Sequence, residues 1–152
     1  MLGYSYSLDT TEVDEGMKSL IRKTPELSRR VLSKLSEAVV TRTVVHHLSG
    51  QTLNRGTGTL AKSINYRLAN DFLSLVRSNV AYAAIHEFGG VIKAKNAGAL
   101  HFKVGDRWVM VKQVVMPKRS YLKPSLDWVF ENSAEDIMND EVSEWLLKRW
   151  YK

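Results

Sequence analysis

The chain has 152 residues, of which 44% are hydrophobic and 25% charged, so it is large and apolar enough for one folded domain. It contains no cysteine, which excludes disulfides, thiolate metal sites and cysteine nucleophiles and is typical of a protein made in a reducing cytoplasm. The sequence lacks an apolar run of the roughly 18 residues that a membrane helix requires and a recognisable signal peptide, so we expect an intracellular protein that makes no membrane contact.

The formal net charge of +6 is distributed unevenly along the chain. Between Val91 and Lys123, eight basic residues stand against a single acidic one, Asp106, for a net charge of +7. Between Pro124 and Leu147 there are seven acidic residues and no basic one. Segments of opposite sign can bind copies of the same chain, or other partners, through complementary potentials. Alternatively, they are two solvated faces without a partner.

The first long helix is predicted to begin at Thr24-Pro25-Glu26. These residues offer a capping hydroxyl, a proline at the first helical position and a carboxylate in the first turn. Apolar residues then recur at steps of three and four up to about Leu48, as on one face of a helix. The sequence also favours a shorter helix over residues 11–22.

A loop, two strands and a short helix are predicted next. Residues 49–60 are rich in glycine, serine and threonine, which is typical of a loop. The runs INYRLA and FLSLVRS are separated by Asn70-Asp71 and predict two strands joined by a tight turn. AYAAIHEF predicts a short helix that ends at Gly89, because glycine readily adopts the left-handed conformation that ends helices.

The run ALHFKVGDRWVMVK predicts a β-hairpin with Gly105-Asp106 at its turn, and glycine in the first position favours type II′. If Val104 pairs with Arg107, one face is apolar and the other is basic and aromatic. The apolar face then holds Leu100, Phe102, Val109 and Val111, and the other holds His101, Lys103, Trp108 and Met110.

The C-terminal residues predict a long helix over about residues 124–150, begun by Pro124. Acidic residues dominate its early turns and Lys148 and Arg149 its end, the order that the helix dipole favours. The predicted fold is therefore α+β: two long helices packed on a small antiparallel sheet, with an extended basic β-hairpin at about residues 91–114. We expect a single domain over residues 1–152 with a flexible first eight residues.

No catalytic or metal-binding pattern is found in the sequence. A zinc protease requires a second histidine four residues after the first, and Gly90 stands there after His86. His46 and His47 are adjacent on a helix, so their side chains point in different directions and are better explained by the helix C-terminus. GTGTLAKSI lacks the spacing of a phosphate-binding loop. We therefore expect no enzymatic activity, no metal and no cofactor.

The basic hairpin is the remaining candidate for function. Lysine and arginine beside Trp108, His101 and Tyr121 can hold phosphate groups and stack on bases without reading sequence. The alternative is the solvated outer face of an amphipathic hairpin. The predicted basic surface, which can line a DNA channel, consists of Lys93, Lys95, Lys103, Arg107, Lys112 and Lys118.

Three short motifs occur in order along the chain. GTGTLAKSI precedes YAAIHEFGGVIKAK, and MPKRSYLKPSL follows the hairpin and opens the terminal helix. In this order the sequence resembles the virion morphogenesis proteins of tailed bacteriophages, the tail-completion and neck family of Mu-like phages and siphophages. The resemblance extends from about Arg30 to the end of the terminal helix. The matching positions are Tyr82, Ala83, His86, Gly89, Pro117, Arg119, Tyr121, Leu122 and Pro124.

The resemblance implies a structural protein of the virion, without a cofactor, that acts as a ring component at the head–tail junction. The implied partners are further copies of the chain and a tail tube, terminator or connector protein, with non-specific contact to phage DNA. The alternative function is a small basic protein that binds nucleic acid without sequence preference. The motif residues Tyr82, His86, Gly89, Pro117 and Pro124 are expected to have structural roles.

The segment between Pro117 and Pro124 is predicted to be stiff and extended. It presents an arginine and an aromatic residue, the residue types most common at interface centres. The alternative is that it only packs the terminal helix against the sheet. The predicted assembly interface consists of Arg119, Tyr121, Leu122 and Trp108.

Overall fold

The computed structural model describes residues 5–8, 16, 19–20, 23–50, 52–53, 57–95 and 98–150. The helix predicted over residues 11–22 lies largely outside them. Within the described ranges, no helix is both long and apolar enough to cross a membrane. The elements are β1 (Ser5–Leu8), α1 (Pro25–Arg42), α2 (Thr59–Ser63), β2 (Ile64–Asn70), β3 (Leu73–Ser78), α3 (Ala83–Phe88), β4 (Gly90–Lys93), β5 (Leu100–Val104), β6 (Arg107–Val111), β7 (Gln113–Met116), α4 (Leu122–Asn132) and α5 (Ala134–Trp150).

The core lies between helix α1 and a three-stranded antiparallel sheet of order β1-β3-β2. Helix α1 buries its apolar residues because they recur at helical spacing along one face. Helices α4 and α5 pack against another side of α1. Strand β1 was not predicted from the sequence, and it pairs with β3 from Ser5 opposite Arg77 to Leu8 opposite Ser74. The central core residues are Leu27, Val31, Leu32, Leu35, Val39, Val76, Val129 and Met138.

Serine side chains join the sheet to the helices in the core. The inward face of β3 consists of Ser74, Val76 and Ser78, all buried. The hydroxyl oxygen of Ser36 on α1 lies 2.6 Å from that of Ser74, and Ser63 on α2 lies 2.7 Å from Ser78. Buried hydroxyls are tolerated because each has a hydrogen-bonding partner.

The first long helix is confirmed from Pro25 to His47, although its last five residues, Thr43–His47, form a π-helical turn. The Thr43 hydroxyl donates to the carbonyl oxygen of Val39 at 2.8 Å in the turn before. The predicted capping role of Thr24 is wrong. Its hydroxyl donates to the carbonyl oxygen of Leu20 instead, and makes no capping hydrogen bond to α1.

The C-terminal helix differs from its prediction at both its start and its middle. It begins at Leu122, two residues before Pro124, and Ser133 divides it into α4 and α5. Ser133 lies outside the helical region, with φ −139° and ψ −15°. The α+β class is confirmed. In the described part of the chain, however, three helices of more than ten residues replace the two predicted.

Strands β4 to β7 form a two-stranded antiparallel ribbon, which we call the arm (residues 90–116). β4 pairs with β7 and β5 with β6, and the amide of Ala94 donates to the carbonyl of Lys112 between the two pairs. The predicted hairpin register is confirmed, with Val104 opposite Arg107. Gly105 has a φ of +59° and Asp106 does not have a positive φ, as a type II′ turn requires.

The arm is rooted beside the end of helix α3. As predicted, α3 ends at Gly89, which has a φ of +73°. A Cβ atom on Gly89 would lie 2.8 Å from the backbone nitrogen of Lys118 and 3.1 Å from the carbonyl oxygen of Met116. Glycine is therefore required here by both its backbone conformation and the close approach of the chain that follows β7.

We predict that Gly89→Ala lowers the free energy of unfolding by about 1–3 kcal/mol, because alanine is strained at this φ and meets backbone atoms. Urea denaturation followed by circular dichroism measures the loss. Gly98→Ala is the matched control, since a Cβ atom there meets nothing within 4 Å. Equal stability of the two variants would contradict the prediction.

Candidate functional site

Two motif segments that are distant in sequence come together at the base of the arm. We call them the clasp, residues 82–89 and 117–124. The amide of Arg119 donates to the carbonyl oxygen of His86 at 2.9 Å. The Ser120 hydroxyl donates to the carbonyl oxygen of Glu87 at 2.9 Å, and the Tyr121 hydroxyl to that of Ala83 at 3.3 Å. The residues that carry the family resemblance therefore lie in one hydrogen-bonded unit.

The carboxylate of Glu87 caps the N-terminus of helix α4. Its side chain is fully buried and accepts hydrogen bonds from the amides of Tyr121 at 2.9 Å, Leu122 at 3.0 Å and Lys123 at 3.1 Å. The first four amides of a helix have no partner within the helix. In α4 three of them donate to Glu87, and the fourth position is Pro124, which has no amide hydrogen.

Glu87 also connects the clasp to the three-stranded sheet. The hydroxyl of Tyr6 on β1 donates to Oε1 of Glu87 at 2.9 Å. One carboxylate thus accepts four hydrogen bonds from two parts of the chain. Hydrogen bonds to a charged group contribute about 1.5–3 kcal/mol each, and the positive end of the helix dipole adds to them. The clasp therefore fixes the direction in which α4 leaves the sheet.

His86 precedes Glu87 in the clasp and is partly buried. Its Nδ1 atom is buried and has no hydrogen-bonding partner among the described residues, and its ring meets Tyr82 edge-on with centroids 5.9 Å apart. Burial lowers the pKa of His86, and the charge of Arg119 lowers it further. Among the described residues, no group of three or more His, Asp or Glu side chains can hold a metal ion.

The predicted assembly interface is divided by the fold. Tyr121 and Leu122 are fully buried, so the prediction that they form part of an interface is wrong for this conformation of the chain. Both are core residues because they begin helix α4 where it packs on α1. Arg119 and Trp108 do have exposed side chains, and 77% of the Trp108 surface is accessible.

The predicted basic surface lies on the arm and at its base. Lys93, Lys103 and Arg107 belong to arm strands, whereas Lys95 and Lys112 lie between strands. All five side chains are exposed, as is that of Lys118 beyond the end of β7. Five of these charges thus lie on one ribbon, where Lys103 stands opposite the exposed Trp108.

The acidic residues of α4 and α5 divide into paired and unpaired sets. Arg30 on α1 donates to Glu141 at 2.9 Å and to Glu144 at 2.8 Å, and the bond to Glu141 is the main cause of the raised pKa of Arg30. Asp127 pairs with Lys123 at 2.7 Å. The acidic residues that are exposed and form no ion pair with another described residue are Glu131, Glu135, Asp136 and Asp140.

An open groove of about 590 Å³ runs along the surface where α1 meets α4 and α5. Its floor includes Trp128, on which the guanidinium of Arg42 stacks at 3.8 Å from the ring centroid. Val45 and Ile137 add apolar surface to the groove, and Asp140 lies among its lining residues. A groove that combines an aromatic floor, aliphatic walls and a carboxylate can accept a mixed apolar and basic surface.

The sequence matches the phage virion morphogenesis family over residues 39–146, which include the whole clasp and arm. The chain belongs to this family. Comparisons with curated proteins and with solved structures gave no significant match. Membership confirms the resemblance drawn from the clasp motifs and indicates a structural role in phage assembly. Such a role is consistent with a non-enzymatic protein.

Sequence patterns did not identify Glu87, the residue on which this site depends. One signal was nevertheless present: helix α4 has no acidic residue in its first turn and no side-chain cap of its own. A buried helix start without a local cap requires an acceptor from elsewhere in the chain. The sequence alone does not show which of its acidic residues supplies that acceptor.

We predict that Glu87→Gln lowers the free energy of unfolding by about 3 kcal/mol, because an amide cannot accept all four hydrogen bonds and buried donors lose their partner. Urea denaturation measures this loss. Hydrogen exchange should show the Leu122 and Lys123 amides exchanging faster. The control is Glu135→Gln on the exposed side of α5, for which unchanged stability is expected. A similarly small effect at Glu87 would exclude the capping role.

We also predict that the protein loses stability as the pH falls from about 7 to about 5. Burial lowers the pKa of both His86 and His47 below 6.5, their value in the unfolded chain. The unfolded chain therefore binds protons first, so these histidines contribute stability above that pH and lose it below. Arg119 near His86, and Arg42 and His46 near His47, act in the same direction.

The free energy of unfolding at several pH values tests this dependence. The double variant His47→Gln and His86→Gln should have a flatter profile between about pH 7 and about pH 5. His101→Gln, at an exposed position on the arm, is the control and should keep the wild-type profile. An unchanged slope in the double variant would assign the pH dependence to other groups.

Proposed function

We propose that this phage protein is a ring component of the head–tail junction that completes the neck or the tail during virion assembly. The observation that carries the proposal is the family match, which extends over the clasp, the arm and the terminal helices. The proposed partners are further copies of the chain and a tail tube, terminator or connector protein. In the mature phage the protein would remain in the virion, at the neck or tail.

The distribution of charge supports a ring. The arm and its base are basic, whereas α4 and α5 carry exposed unpaired carboxylates. Surfaces of opposite sign on one chain allow head-to-tail contacts between identical subunits, and such contacts close into rings when the rotation permits. DNA that passes through the ring would meet lysine and arginine side chains, which attract phosphates without reading bases.

Arg119 is the best candidate for contact with a neighbouring virion protein. Its amide is fixed by the hydrogen bond to His86, while its side chain is exposed at the base of the arm. Arginine is enriched at interface centres, and a backbone that is already fixed adds no ordering cost of its own on binding. Trp108 offers a large exposed ring near the tip of the arm.

A second candidate function is sequence-independent binding of nucleic acid by the monomer. The specific observation in its favour is the exposed Trp108 ring among the basic side chains of the arm, an arrangement that suits phosphate contact and base stacking. This function predicts DNA affinity that falls steeply as the salt concentration rises. The head–tail role requires no such affinity in the isolated monomer.

We predict that Arg119→Ala leaves the protein folded but impairs the joining of heads and tails. A phage that lacks this protein is complemented with wild-type or variant protein, and particles are counted by electron microscopy. Loss of an interface arginine costs more than about 1 kcal/mol, so we expect roughly a tenfold fall in complete virions. Separate heads and tails should accumulate.

Arg67→Ala on β2 is the matched control, because its side chain is also exposed but lies outside the clasp and arm. Normal yields are expected with this variant. Complete virions in the absence of any form of the protein would overturn the proposed role in joining. A normal yield with Arg119→Ala would remove Arg119 from the interface.

A further inference from the structure

The arm has apolar side chains that its own chain does not cover. Trp108, Met110, Val104 and Val115 all have exposed side chains on the ribbon. Within the described residues, the arm strands make no extensive contact with any helix. Isolated two-stranded ribbons are at best marginally stable, and Trp108 and Met110, which share one face of β6, form exposed apolar surface of the kind that marks an interface. The arm therefore has the properties of a segment that a partner covers.

The length of the arm allows it to reach another molecule. β4 and β5 together contribute nine residues to one side of the ribbon. At about 3.3 Å per residue they span up to about 30 Å. A domain of this size has a radius of gyration of about 15 Å, so the length of the arm is about twice that radius. An element of that length can reach a neighbouring subunit.

The groove between α1 and α4–α5 offers the complementary surface. Trp128 and Val45 are partly exposed there and provide apolar contact. Its acidic side is Asp140, and Asp136 lies one helical turn earlier on the same side of α5. Neither carboxylate forms an ion pair with another described residue. The negative charge of Asp136 and Asp140 is opposite in sign to the charge of the arm.

Two of the basic residues that line the groove have contacts within the protein. Lys34 lies 3.4 Å from Glu37, and the guanidinium of Arg42 stacks on Trp128. The groove thus presents at its edge carboxylates that form no ion pair within the described part of the chain.

We propose that the arm of one copy docks into the α1–α4–α5 groove of a second copy of this chain. Lys103 faces Asp136 and Asp140, and Trp108, which stands opposite Lys103 on the same face of the ribbon, covers the apolar floor. Arg107 adds positive charge at the arm tip. The contact is heterologous, since different surfaces of two identical chains meet, and repetition of it generates a ring. The inference rests on the proposed ring and names the contact between its subunits.

A charge-exchange experiment tests this contact. One variant carries Lys103→Glu and Arg107→Glu on the arm, and another carries Asp136→Lys and Asp140→Lys at the groove. Each variant alone places like charges in the contact, so its association should weaken at least tenfold. A mixture of the two restores opposite charges in both contacts and should assemble again. Light scattering and analytical ultracentrifugation measure the mass, and circular dichroism verifies folding.

The matched control is Lys62→Glu with Arg67→Glu, which makes the same charge change at exposed positions outside the arm and groove. It should assemble as the wild type does. Trp108→Ala should also weaken association while leaving the fold intact, because the ring is largely exposed.

Two results would overturn the inference: a wild-type protein that stays monomeric at every concentration, or a mixture of the reversed variants that stays monomeric. Arm variants with reversed charges that assemble to the wild-type mass but no longer bind DNA would also overturn it. The arm would then bind nucleic acid and not the groove of a second copy. None of these results decides the proposed function, which depends on the virion yield in complementation. Conversely, if complete virions form without the protein, the arm–groove contact is not contradicted, but the proposed role of the ring in joining heads and tails is excluded.

Discussion

The buried carboxylate of Glu87 is the constraint on which the arrangement of this protein depends. It accepts hydrogen bonds from the first turn of α4 and from Tyr6 on β1, so it holds the sheet, the clasp and the terminal helices together. Strand β4 begins at Gly90, directly after α3, and β7 ends at Met116, directly before the second clasp segment. Both strands of the arm are therefore rooted in the unit that Glu87 organises.

This arrangement gives a rigid base to an element that its own chain leaves uncovered. The clasp fixes the backbone on both sides of the arm through hydrogen bonds that are mostly buried. The arm itself has few contacts with the body. A firmly rooted ribbon loses less conformational entropy on binding than a loose loop of the same length. The location of the motifs of the phage virion morphogenesis family in the clasp fits a requirement to hold the arm in a fixed direction.

The sequence predicted those features that depend on local patterns. Alternation around Gly105 was sufficient for the hairpin register, and the glycine after Phe88 was sufficient for the end of α3. It did not predict the burial of Tyr121, because an aromatic residue between prolines suits either a core or an interface. Strand β1 and the cap by Glu87 were missed for a common reason: each depends on contacts between residues more than thirty positions apart, which no local pattern contains.

The buried serines of the sheet also favour one register for the pairing of β3 with its neighbouring strands. A slip of β3 by one residue would turn Leu75 and Arg77 toward helix α1 and carry Ser74 and Ser78 out to solvent. The hydroxyls of Ser36 and Ser63 would then lose the oxygens that they now meet. The misaligned strand would bring the charge of Arg77 toward the core and lose both hydroxyl–hydroxyl contacts, although Ser36 and Ser63 would keep their bonds to the carbonyl oxygens of Leu32 and Leu60. The buried serine hydroxyls of an otherwise apolar core thus help to specify the register of β3.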